Sequence, residues 1–99
     1  MLTLPIKKKW FDMILSGEKK EEYREIKPYY DTRFGNVWAD SACWNKIHTI
    51  RFRNGYSKTS PSFLADVSLN VGTGKTEWGA EPGKNYFVFS IHNVYREDE

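Results

Sequence analysis

Ninety-nine residues, 39% of them apolar and 16% aromatic, are enough for one domain over residues 1–99 and too few for a second. A formal charge of +2 falls well short of the cationic surfaces that hold duplex DNA through many phosphates, although a local patch can still meet nucleic acid. The single cysteine, Cys43, has no partner for a disulfide or a thiolate metal site, so the expectation is a soluble, cytoplasmic protein without metal or cofactor.

Leu2 to Ile6 is a short apolar run containing Pro5, which suits an edge strand where the proline need not donate a hydrogen bond. It is too short for a signal segment or a membrane span. After Lys7-Lys8-Lys9, residues Trp10, Phe11, Met13, Ile14 and Leu15 form an apolar face at the helical period, and Gly17 ends the helix as a left-handed cap. The macrodipole disfavours cations at a helix N-terminus. The three lysines therefore read either as a solvated helix start or as a phosphate-facing group.

From Gly17 to Lys27, eight of eleven residues are charged, four of each sign. The plain reading is an edge strand blunted against aggregation by charge. The alternative is a site. On the strand expected from Glu21 to Ile26, Glu22 and Arg24 point to one face roughly 6.5 to 7 Å apart. Lys19 has the opposite parity and joins them only if the chain is still turning out of the helix. Tyr29 to Asn36 has no clear period and reads as a loop or a short helix. Trp38 and Trp44, flanking an ambiguous stretch, are expected as core or lid residues, since large aromatics dominate burial in small domains.

Ile47 to Arg53 alternates His48, Ile50 and Phe52 against Thr49, Arg51 and Arg53, the pattern of a half-buried strand, and Asn54-Gly55 supplies a turn. Arg51 and Arg53, with Lys58 nearby, either face solvent or hold a phosphate. Phe63, Ala65, Val67, Leu69 and Val71 then share one face of a long strand. Gly74-Lys75-Thr76 imitates the end of a phosphate-binding loop, but that motif needs a glycine where Leu69 stands, and no helix pattern follows. Tyr86 to Phe89 is apolar on both faces, as in a central or barrel-closing strand, and Arg96 to Glu99 is a frayed acidic end. The order of elements predicts an α+β, mostly β domain: a small β-barrel with one or two helices packed at its opening.

Gly17, Lys19, Glu22 and Arg24 match the signature G-x-K-x-x-E-x-R, and the chain resembles the ASCH family of small, PUA-like domains. The likeness extends to the helix from Lys9 to Gly17, to Tyr29-Tyr30 with Arg33, to Asn54-Gly55-Tyr56, to Glu77-Trp78-Gly79 and to the apolar last strand. It implies a PUA-like barrel and a cleft lined by Lys19, Glu22 and Arg24, helped by Tyr29, Arg33 and Arg53, for RNA or a nucleoside- or nucleotide-like ligand.

The same resemblance implies a second function, because some family members are amidohydrolases acting on N4-acetylated cytidine. Their signature lysine is catalytic, as Lys19 would be with Glu22 as its partner, and a distal glutamate corresponds to Glu77 or Glu81. Those enzymes carry threonine where this chain has Glu22. The change removes a hydroxyl and adds a charge that favours protonated lysine, which ranks binding above hydrolysis. A third reading is a structural or protein-interaction domain with an inactive cleft. His48 and His92 lack metal-ligand spacing, and Cys43 lacks a nucleophile motif.

Overall fold

The computed structural model of the protein describes residues 1–38 and 46–96. The chain runs β1 (Thr3–Ile6), α1 (Lys8–Leu15), β2 (Glu21–Glu25), α2 (Pro28–Trp38), β3 (His48–Asn54), β4 (Ser62–Thr73) and β5 (Asn85–Arg96), with a 3-10 turn at Thr76–Trp78. The strands form one sheet in the order β1-β3-β4-β5-β2, parallel between β1 and β3 and antiparallel elsewhere. The sheet curls into a half-barrel, so the domain is mostly β with two helices among the described residues. No backbone ladder joins its two edges, β1 and β2. None of the described helices is long and apolar enough to cross a membrane.

Alternation builds the main core. Phe63, Ala65, Val67 and Leu69 of β4 are each at most 1% exposed and meet Ile50 and Phe52 of β3. Phe11 and Ile14 of α1 cover one end of this layer. Val71, expected on the same face, is 51% exposed, because β4 runs on past the end of the core.

The stretch that read as a loop or a short helix is α2, eleven residues long. Pro28 opens it, where a missing N–H costs nothing, and Tyr30, Phe34 and Trp38 recur every fourth residue along one face. Phe34 stands edge-on to Phe87 and Phe89 at 5.1 and 4.9 Å, while Trp38 is buried against His48. Tertiary contact of this aromatic stripe outweighs the poor helix propensity of Gly35 and Asn36. Cys43, Trp44 and the acidic end from residue 97 lie outside the described residues.

Strand β5 is apolar on both faces for a structural reason. Phe87 and Phe89 enter the main core, whereas Tyr86 and Val88 join Tyr23, Trp78 and Ala80 in a second cluster on the other side. A bulge between the pairs Asp66–Asn93 and Val67–Ile91 inserts His92, which returns Val94 to the core side.

Gly74 belongs to the second cluster. A Cβ there would fall 2.6 Å from the Tyr23 ring and 2.8 Å from the Ala80 methyl. The ring cannot swing aside, since its hydroxyl donates to Glu21 at 2.6 Å and accepts from the Lys75 N–H at 2.9 Å. Close packing therefore explains the glycine that imitates a phosphate loop. Gly74→Ala should destabilise the domain by about 1–3 kcal/mol through overpacking, lowering the melting temperature by about 4–8 °C for each kcal/mol. A calorimetric scan showing no shift would mean that this cluster is loosely packed.

Candidate functional site

The open seam between β1 and β2 sets the geometry of the site. The Leu2 carbonyl, just before β1, accepts from the Arg51 N–H at 2.9 Å and the Ile6 carbonyl, at its end, from the Gly55 N–H at 3.1 Å, both on the β3 side. The carbonyls of Thr3 and Pro5 have the opposite parity and face the free edge. Two arginines occupy them. Arg24 Nη2, from β2 on the far edge, donates to Pro5 O at 2.7 Å, and Arg33 Nη2, from α2, donates to Thr3 O at 3.3 Å.

Lys19 joins this arrangement because the chain is still turning when it arrives. Gly17 lies at φ +87°, and the Lys19 N–H reaches back to Met13 O at 2.9 Å. The Lys19 ammonium donates to Trp78 O at 2.7 Å and stands 3.1 Å from Glu22 Oε1. It also lies 4.7 Å from the Trp10 ring centre and 4.9 Å from that of Tyr23. Glu22 Oε2 accepts from Arg24 Nη1 at 2.6 Å. Each oxygen of one carboxylate thus holds one cation. The three side chains are 0%, 6% and 13% exposed for Lys19, Glu22 and Arg24.

Burial holds the Lys19 amine below the ordinary lysine value of 10.5, against the opposite pull of Glu22. Glu22 acts in the direction expected of its extra charge, but desolvation outweighs it. The Tyr23 phenol is pushed upward, first by burial and then by its hydrogen bond to Glu21.

Glu22 and Arg24 form part of the wall of a cleft of about 660 Å³. Trp10, Tyr30, Tyr56 and Trp78 contribute rings to it, and Lys7, Lys27 and Lys84 contribute ammonium groups. Lys19 meets its expected partners but lies behind the cleft wall, packed against Trp10, and does not line the cavity. Tyr29, Arg33 and Arg53 are not brought to the cleft either. Arg33 lies over the Tyr29 ring at 5.4 Å, one helical turn away on α2. Arg53 belongs to β3, with its Nε buried and without a hydrogen-bond partner. Of the two distal acids, Glu81 lines the cleft and Glu77 does not.

Sequence reasoning missed Trp10 and Tyr30 as cleft residues, because Trp10 reads as part of the apolar face of α1 and Tyr30 falls in a stretch without clear period. The signal for Trp10 lies at Gly79, whose φ is +101° and whose added Cβ would come 3.0 Å from the Trp10 indole. Among the described residues, no group of His, Cys, Asp and Glu has the makeup of a metal site. Comparison of the chain with protein-family models, with curated proteins and with solved structures gave no match.

Two predictions follow from the shared carboxylate. Glu22→Gln leaves two buried cations without their common acid and should cost about 3–5 kcal/mol in urea unfolding. Lys19→Met, which keeps the Glu22–Arg24 pair and much of the volume, should cost less; the reverse order would make the lysine the central member. The folded chain also releases the Lys19 proton more readily than the unfolded chain, whose lysine keeps the ordinary value. The cost of burying this charge is therefore fully present below the folded-state value and is relieved as pH rises through it towards 10.5. The stability gap between wild type and Lys19→Met should shift in favour of wild type across that interval, and a flat difference would place the amine at its ordinary value.

Proposed function

We propose that this is an ASCH-type, PUA-like domain whose cleft binds RNA or a nucleotide-like ligand. The observation that carries the reading is the Lys19–Glu22–Arg24 cluster. It puts two cations on one acid behind an aromatic wall, with Arg24 as the cation that reaches the cleft. Such a wall suits an anion attached to a planar ring system: the rings offer stacking faces, and Arg24, Lys7 and Lys27 offer donors to phosphate. A volume of about 660 Å³ falls within the range of small-molecule and cofactor sites.

One observation favours the hydrolytic alternative, in which Lys19 attacks or deprotonates an N4-acylated cytidine. Desolvation lowers the Lys19 pKa, the direction that a neutral amine needs. The contacts of that amine weigh against it. Its hydrogen bond to Trp78 O and its ion pair with Glu22 engage it away from the cavity, with the Trp10 ring alongside. Binding is therefore the function that the geometry supports best.

Titration with single-stranded RNA at rising salt tests the reading. Binding should be saturable and should weaken with salt. A Lys7→Ala/Lys27→Ala double variant, at two exposed positions whose loss leaves the core intact, should bind several-fold more weakly. Unchanged affinity in that variant would remove the cleft from consideration. Release of acetate from N4-acetylcytidine, abolished in Lys19→Met, would promote the hydrolytic alternative instead.

A further inference from the structure

We propose, resting on the binding function above, that the cleft takes a single-stranded oligonucleotide of at least two nucleotides instead of one nucleoside. The observation is the placement of its accessible rings. Trp10 comes from α1, Tyr30 from α2 and Tyr56 from the loop after β3, so the three faces belong to three separate elements around one mouth. Tyr56 is 90% exposed, and Trp10 and Tyr30 are half-buried. A planar base has two faces and stacks on two rings at most; a third ring on another element calls for a second base.

The ammonium groups follow the rings. Lys9, beside the cleft but not among its lining residues, lies over Trp10 at 4.7 Å, and Lys27, which lines the cleft, lies over Tyr30 at 5.3 Å. These are exposed lysines, so each contact is weak and exchangeable. When a base takes the ring face, the displaced ammonium is left beside the phosphate that flanks that base. One ring with one ammonium is thus a subsite for one nucleotide, and the arrangement is repeated on α1 and α2. Lys84 differs from these, because Glu25 and Glu81 stand 3.7 and 3.9 Å from its ammonium and already offset its charge. A duplex does not fit this scheme, since its base faces are stacked on one another.

The experiment is a titration of the whole protein with UMP, with oligouridylates of increasing length, with oligo(dT) and with an abasic oligomer, followed by tryptophan fluorescence and calorimetry. Affinity should rise at least about tenfold between UMP and the tetramer. The salt dependence should steepen by about 0.7 in logarithmic slope for each added phosphate contact. Tyr56→Ala, at a side chain that supports no core, should weaken the tetramer about tenfold. If UMP binds as tightly as the tetramer, the strand is excluded while nucleotide binding stands. Equal binding of the abasic oligomer, or a tetramer indifferent to Tyr56→Ala, overturns the ring subsites. Failure of every probe to bind overturns this inference together with the function on which it rests. Oligo(dT) matching oligouridylate supports a strand read without its 2′-hydroxyls, and preference for uridylate supports an RNA strand.

Discussion

The carboxylate of Glu22 is the group on which the arrangement depends. It joins a lysine delivered by the turn after α1 to an arginine of its own strand, and that arginine crosses to the backbone of β1. The half-barrel has no hydrogen-bond ladder at this point, so side chains do there what backbone does elsewhere in the sheet. Exposed strand edges invite pairing with other chains. Here the outward carbonyls of Thr3 and Pro5 are both taken by guanidinium donors. The charged run that suggests a blunted edge strand and the run that suggests a site are therefore one device.

The same device shapes the cleft. The Lys19 ammonium ties the carbonyl of Trp78 to the end of α1, which sets the 3-10 turn beside the helix and brings Gly79 against the Trp10 indole. Tyr23 holds the start of that segment through the Lys75 N–H, and Tyr86 holds its far side through the Glu81 N–H. The segment between β4 and β5 is thus fixed by hydrogen bonds at three points along its length. Its position follows from the second apolar cluster, which exists because β5 carries large side chains on both faces. A site wall is here a consequence of packing.

These dependencies mark the boundary of what the sequence discloses. Period-two alternation places β3 and β4, and a left-handed glycine places the end of α1, because each is a local rule acting on neighbouring residues. The shared face of Glu22 and Arg24 is local in the same sense. Lys19 is different: its burial depends on Trp78, far along the chain, and an isolated lysine is ordinarily exposed. Arg33 and Arg53 depend on tertiary choices too. The packing of α2 turns Arg33 to β1, and the position of β3 between β1 and β4 keeps Arg53 out of the cleft. The sequence leaves α2 between a loop and a short helix because Gly35 and Asn36 weaken its local signal, while the four-residue spacing of Tyr30, Phe34 and Trp38 gains its force only against Phe87 and Phe89.

Two cations sharing one carboxylate carry a surplus positive charge when all three groups are ionised, and a surplus in a poorly solvated place is costly. The arrangement meets that cost unevenly. Lys19 is fully enclosed, and a carbonyl dipole, a carboxylate oxygen and two aromatic faces surround its ammonium, all of them negative towards it. Arg24 is less enclosed and stands on the cleft wall, with donors turned to Glu22, to Tyr23 O and to Pro5 O. The lysine is therefore compensated from within the fold, and the unbalanced part of the charge falls on the arginine side, where the cavity opens. That surplus adds to the ammonium groups of Lys7, Lys27 and Lys84 on the same wall, against the carboxylates of Glu25 and Glu81.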